Sequence, residues 1–274
     1  FQMRINHNIP AMITQGALFK VGLHNDKTLE KLSTGLRINR ASDDAAGLSV
    51  SENLRTQTRG MAMAKRNGQD GIAALQIAEG AMNEISLILQ RMRELAVQSS
   101  NDTLTALERG YTNQEFGAIR SEITRIVGAT QYNTQSLLDG AGFGAAGSNI
   151  IHIGPNDVAA ADEITMTIDK MDITTLGVSA NALTTQALAT AAITSIDSAI
   201  DLVNNARSDV GAFVNRLEHA INNLINQEYN TTAAESVIRD TDFAIETANF
   251  TKYTILTQSA TAMLGQANMI PPTV

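Results

Sequence analysis

His7, His24, His152 and His219 are the side chains best suited to metal ligation or proton transfer near neutral pH, but they are scattered along the chain. No HExxH pair, nucleophile elbow or phosphate-cradling glycine loop accompanies them. His7 and His219 read as helix-surface residues. Asp43 and Asp44 are adjacent carboxylates, yet after Ser42 and ahead of an apolar run they read as a helix cap and first-turn charge rather than paired acids. Cysteine is absent, which removes thiolate nucleophiles, disulfides and Cys-ligated metals. Asn-x-Thr triplets begin at Asn101, Asn230 and Asn249, and would take sugars only along a glycosylating route. The ten methionines fall mostly on apolar seams, where gap filling accounts for them. These observations predict no catalytic residues, no cofactor and no metal site.

Composition narrows the classes further. Twenty Lys and Arg face 28 Asp and Glu in 274 residues, a net charge of -8, which disfavours nucleic-acid binding. Seven Phe, four Tyr and no Trp suit helix-on-helix seams better than a compact globule. Two uncharged stretches, residues 173–196 and 253–274, are long enough to span a bilayer but are broken by Ser, Thr, Asn, Gln and Pro. No membrane insertion is expected. No cleavable secretory signal is visible, and Phe1 and Gln2 read as additions ahead of Met3.

The elements follow from periodicity. Leu54, Met61, Gly68, Leu75, Met82, Leu89 and Ala96 recur every seven residues, accompanied by Gln57, Ala64, Gly71, Ala78, Ile85 and Met92. This 3-4 alternation predicts a helix from about Asp44 to Ser100, roughly 80 Å long at 1.5 Å per residue. A shorter helix carries Leu107, Tyr111, Phe116, Ile119, Ile123 and Ile126, and ends at Gly128. Residues 129–140 read as turn and loop. A Gly-rich passage from Gly140 to Gly147 leads to a β-hairpin, Asn149–Ile153 with Glu163–Asp169, around Gly154–Asp157. The acidic middle, with eight carboxylates and one Lys between Asp139 and Asp201, reads as solvent-exposed.

The second half carries its own seam of Ile196, Val203, Val210, Leu217 and Leu224, accompanied by Ile193, Ile200, Val214 and Ile221. It predicts a helix over about 188–227. Thr232-Ala-Ala-Glu235 reads as a capping box opening a final helix to about Asn268, which Pro271 and Pro272 end. Ala248, Ile255, Leu256, Ala262 and Met263 line its apolar side. At the other end Ile5, Ile9, Met12, Phe19 and Leu23 form a weak stripe, with Pro10 at a helix start or kink. The fold class is mainly α: a long antiparallel helical rod, or coiled-coil bundle, of N- and C-terminal segments with a small β-hairpin region in the middle. Expected boundaries are 3–43, 44–138, 139–187, 188–231 and 232–274. The thin stripes of the terminal helices bury too little to offset about 1–2 kcal/mol of backbone entropy per residue, so 3–38 and 235–270 should order on assembly.

INHNIPAM (5–12), LSTGLRINRASDDAAGLSVSENLR (32–55), QRMRELAVQS (90–99), NRLEHAINNL (215–224) and AAESVIRDTDFAIE (233–246) closely resemble bacterial flagellin. The resemblance covers about 3–138 and 196–268 in order. It implies a small flagellin with a short variable region, exported unfolded by the flagellar type III route and self-polymerising into the filament used for motility. The missing signal peptide suits that route. Implied partners are further copies of the chain, the flagellar cap, hook–filament junction proteins and an export chaperone. The implied location is the extracellular flagellum. The terminal stripes, from Ile5 to Leu23 and from Ala248 to Met263, would meet like helices in neighbouring subunits, a contact that repeats instead of closing.

The resemblance also implies a surface recognised by toll-like receptor 5. Gln90, Arg91, Arg93 and Leu95 match its QRxREL stretch and Glu115 its glutamate, with Arg91 as hydrogen-bonding fork and Leu95 as apolar anchor. The same residues would serve axial packing between subunits. Supercoil switching is implied too, with Gly154–Asn156 as its candidate. Members of the family commonly extend past the proline-containing end into a Leu-rich tail, whereas this chain stops at Val274. Three alternatives remain at this point. One is a junction subunit, another is a periplasmic filament suggested by IHIGPN (151–156), and the weakest is a hydrolase inserted between the helical ends.

Overall fold

The computed structural model describes residues 7–140 and 149–269. Ile5, residues 1–3, the passage from 141 to 147, Pro271, Pro272 and Val274 lie outside them. In chain order the elements are α1 (Ile9–Thr34), α2 (Ala45–Ser99), α3 (Ala106–Ala129), β1 (Gln131–Tyr132), β2 (Gln135–Ser136), β3 (Asn149–His152), α4 (Ala159–Asp162), β4 (Glu163–Met166), α5 (Gln186–Arg239) and α6 (Phe243–Met269). The protein is mainly α, with two small antiparallel β-hairpins, β1–β2 and β3–β4. It divides into two compact units, Phe1–Thr58 with Tyr229–Val274, and Arg59–Glu228.

In the second unit the predicted seam of α2 is the core. Leu75, Ala78, Met82, Ile85, Leu89, Met92 and Ala96 are fully buried with Phe116 and Ile123 of α3 and Ile196, Val203, Val210 and Leu217 of α5. An 18-residue window of α2 is apolar enough to cross a membrane by composition, but these seam residues are sealed by other helices, as in a core helix. The companion register of α5 differs from expectation. Ala189, Ala192, Ala199 and Ala206 are buried, whereas Ile193, Ile200, Val214 and Ile221 are half-buried at its margin. Alanine lets the helix backbones approach, which pushes the bulkier residues to the flanks. α3 starts on a complete capping box, Thr105 with Glu108, and these hydrogen bonds hold the Glu108 carboxyl below its ordinary value.

Three glycines of α2 have a use. Gly60 lies against Pro155 and Gly71 against Ile151, so β3 and its turn rest where a side chain would stand, while Gly68 lies against Ile221 of α5. Asn67 Nδ2 donates to the His152 carbonyl at 3.1 Å and fixes the strand there. β3 and β4 pair as predicted, but their connection contains α4 rather than a tight turn alone. Asp162 closes it: its carbonyl accepts from Ile153 N at 2.6 Å and its carboxylate from Val158 N at 3.2 Å. A Cβ on Gly154 would overlap that carboxylate. Gly154→Ala is therefore expected to destabilise this unit by about 1–3 kcal/mol, the range for overpacking. Urea unfolding measures this, and an unchanged midpoint would remove the steric account.

Two expectations for the middle are corrected. Residues 131–136 form a hairpin, because Asn133 (φ 49°) and Thr134 (φ 65°) both adopt the left-handed conformation that a two-residue turn needs. The acidic segment is not simply solvent-exposed, since Met166, Met171, Leu176, Val178 and Leu183 are buried. Most of its charges sit outside them, while Asp162 is buried in the β3–β4 connection. Asp172 is pushed up by burial, but hydrogen bonds from the Thr175 side chain and backbone and from Lys170 outweigh this and lower it to about 2. A depressed carboxylate contributes stability above its unfolded value near 4, lost as pH falls toward 2. Asp172→Asn should therefore narrow the gap in stability between pH 7 and pH 2. Equal gaps in acid unfolding would contradict this.

In the first unit α1 and α6 are antiparallel partners. The α1 cap, Asn8, accepts from Ala11 N and donates to the Ala267 carbonyl, and Leu36 pairs with Asp240 at the opposite end. Pro10 stands in the first turn of α1, where it needs no N–H partner. His7 precedes the helix instead of lying on it, while His219 is exposed on α5. The Thr232–Glu235 motif is not a cap, since α5 runs through it to Arg239 and α6 opens at Phe243. The true cap is Asp242, whose Oδ1 accepts from Ala244 N at 2.8 Å and Ile245 N at 3.2 Å.

Candidate assembly and receptor-facing surfaces

The terminal helices present two faces each. Ala11, Thr14, Leu18, Val21, Asn25, Thr28 and Leu32 are buried or half-buried on α1, as are Glu246, Phe250, Tyr253, Thr257, Ala260, Leu264 and Ala267 on α6. Both sets step by three and four, the pattern of a coiled-coil seam, and they pair the helices. His24 stacks on Tyr253 with ring centroids 5.3 Å apart. This seam was overlooked in the sequence because much of it is Thr, Asn, Ala and Glu; its 3-4 spacing was the available signal.

The residues singled out for assembly lie on the other faces. Ile9, Met12, Phe19 and Leu23 of α1 and Ala248, Ile255, Leu256, Ala262 and Met263 of α6 are all exposed, Phe19 by 68% and Met263 by 59%. Ile13, Leu29 and Ile245 extend this apolar surface.

The joint between these helices and their neighbours is built from backbone. Gly35 ends α1 in the left-handed conformation (φ 72°), its N–H donating to the Lys31 carbonyl. Its own carbonyl accepts from Thr241 N at 3.0 Å, and Arg37 N donates to the Arg239 carbonyl at 2.7 Å. Arg37 Nε and Nη2 both donate to the Ile238 carbonyl, covering an open acceptor at the end of α5. Arg239 in turn pairs with Glu52 at 2.6 Å.

The second surface joins α2, α3 and α5. Arg91 Nη1 donates to Glu94 at 2.9 Å, while its Nε and Nη2 share Glu115 Oε1 at 3.1 and 2.9 Å. Arg93 Nε donates to Asp197 at 2.6 Å. The Glu94 hydrogen bond first, then Glu115, raises Arg91 above its ordinary value, and Asp197 does the same for Arg93. Gln90 is exposed beside them. The structure thus brings Gln90, Arg91, Arg93 and Glu115 onto one surface. Leu95 does not join them: at 1% exposure it sits in the core with Met92 and Ala96, so it offers no apolar anchor to a partner. It faces inward because it belongs to the same helix face as Leu75 and Ala78, through Met82 and Ile85.

Among the described residues no cluster of His, Asp and Glu could hold a metal ion. Fold and surfaces define a structural class, a helical subunit whose paired terminal helices carry outward apolar stripes. Residues 5–142 match the bacterial flagellin N-terminal helical region and residues 193–274 the bacterial flagellin C-terminal helical region. The chain is 46% identical to a flagellin of Halalkalibacterium halodurans, over 99% of this chain and 98% of that protein. It is 42% identical to the flagellar filament 33 kDa core protein of Treponema phagedenis, over 99% and 98%. The crystal structure of Bacillus cereus flagellin superposes with a TM-score of 0.52 at 32% identity, covering 62% of this chain and 94% of that one. A putative flagellar hook-associated protein from Vibrio parahaemolyticus shares the fold alone, at 17% identity and a TM-score of 0.57. The chain belongs to the bacterial flagellin family. It is a structural subunit of a flagellar filament, which assembles by self-polymerisation.

Proposed function

We propose that α1 and α6 form the inner wall of the filament through their outward stripes, with residues 44–138 and 188–231 as the surrounding helical layer and 139–187 as a short variable region. The observation that carries this reading is the exposure, among the described residues, of the apolar stripe from Ile9 to Leu23 and from Ala248 to Met263 beside a seam that already pairs the two helices. Export unfolded through the flagellar type III channel, guided by a chaperone, delivers the subunit beneath the cap, and junction proteins seat the first turn. An external flagellum is the favoured location, and the Treponema flagellin and filament core protein among the relatives make the periplasmic flagellum the second reading. Seeding purified protein with short filament fragments tests the function. Elongation to micrometre length, seen by electron microscopy, supports a filament subunit, and arrest after one layer supports a junction protein instead.

The surface around Arg91 supports recognition of the monomer by toll-like receptor 5, with the same residues packing axially in the filament. Arg91 carries a fork of donors that Glu94 and Glu115 hold in place, so the fork is positioned before a partner arrives. Leu95 then acts by holding this part of α2 against the core. Arg91→Ala should lower receptor signalling by monomer about tenfold, the loss of roughly 1.4 kcal/mol at an interface. Full signalling by the variant in a reporter-cell assay would reject the assignment.

A further inference from the structure

Beside the joint, Lys27, Lys31, Arg37, Ser42, Asp43 and Asp44 line a cavity of about 300 Å³. Its two carboxylates are committed. Asp43 accepts from Asn39 N and Arg40 N and pairs with Lys27 at 3.6 Å, while Asp44 accepts from Gly47 N at 2.9 Å. Its cations are not balanced in the same way. Arg37 bonds only a carbonyl, that of Ile238, and Lys31 has no ion-pair or side-chain hydrogen-bond partner among the described residues. Lys27, Lys31 and Arg37 thus share one recess with the Ser42 hydroxyl, Asp43 and Asp44; with Lys27 paired to Asp43, Lys31 and Arg37 outweigh the charge of Asp44 and leave the recess net positive in a chain whose net charge is -8. A forked donor, a point charge and a hydroxyl together suit a group with several acceptor oxygens.

We propose that this recess is an oxyanion site, filled either by a carboxylate that a second copy of the chain presents in the filament or by free phosphate. The test is a titration of ¹⁵N-labelled monomeric protein with sodium phosphate, against sodium chloride at matched ionic strength, in trimethylamine N-oxide at a concentration where the α1 and α6 amides are protected from exchange, so that the recess is formed before assembly. The expected result is a saturable shift of the Lys31, Arg37 and Ser42 amides with phosphate alone, weakened at least tenfold in Lys31→Gln and retained in Lys31→Arg. No saturable phosphate response in the unaltered protein overturns the proposal, whatever the variants do. An equal response in Lys31→Gln overturns it too, leaving Lys31 as a complement to the α1 dipole. Seeded elongation then separates the sources. A several-fold higher critical concentration for Lys31→Gln, with phosphate competing against elongation of the unaltered protein, identifies the carboxylate of a second copy. An unchanged critical concentration identifies free phosphate.

Discussion

Phe19→Asp abolishes filament elongation at concentrations where the unaltered protein polymerises, while the unit of residues 59–228 keeps its stability. Phe19 is 68% exposed on the face of α1 that turns away from α6, in line with Met12 and Leu23. A carboxylate there changes nothing in the α1–α6 seam. In the filament it would be buried against apolar side chains of another copy, and an unpaired charge in such a place costs several kcal/mol. Each 1.4 kcal/mol is a factor of ten in an equilibrium constant, so a penalty of about 3 kcal/mol raises the critical concentration about a hundredfold. Because every subunit makes the same contact, no unaltered neighbour rescues it. Light scattering after seeding, with electron microscopy of the product, measures the effect. Normal elongation of Phe19→Asp would mean that this stripe faces solvent in the polymer. Phe19→Leu should retain growth.

The free chain lacks those neighbouring copies. The α1–α6 seam contains Thr14, Asn25, Thr28, Glu246 and Thr257, and such positions return little hydrophobic free energy against chain entropy. In dilute monomer the amides of α1 and α6 should exchange rapidly, and in the filament slowly. Equal protection in both states would show that the terminal helices need no neighbours.

Leu89→Ala has the largest expected effect on stability. Leu89 is fully buried in the seam of α2, among a core drawn from α2, α3 and α5. Removing its branched end loses the transfer free energy of those atoms and leaves a cavity that three long helices close only partly. The expected loss is about 2–5 kcal/mol in urea unfolding. Two residues earlier on the same helix, Leu87 is 52% exposed, and Leu87→Ala should cost less than about 0.5 kcal/mol. Similar losses at the two sites would mean that α2 is not packed in the register described.

Much of this organisation was legible along the chain. α2 begins at Ala45 and ends at Ser99, close to its predicted limits, because a seven-residue repeat without a proline has one long helix as its natural solution. The alternation of Ile164 and Met166 with Thr165 likewise specified which side of β4 is covered. The misreading at Thr232 has a local cause. A Ser/Thr-x-x-Glu motif caps a helix only where the preceding backbone leaves helical geometry, and nothing between Gly211 and Gly265 compels that by composition. The chain turns at Asp240–Asp242 because Gly35 and Leu36, some two hundred residues earlier, take up its backbone groups. That signal is not local.

By itself the sequence determined that this protein is built from long helices, and that its ends carry apolar stripes. Periodicity and composition are properties of each segment alone. Only the tertiary structure decided which stripe of α1 turns toward α6 and which is left outward, that Leu95 belongs to the core while Arg91 and Glu115 meet above it, and that Gly60 and Gly71 of α2 seat a hairpin. Each of these choices depends on which segments meet. A helix with periodic residues on two faces can satisfy either one, and the partner that packs against it makes the selection.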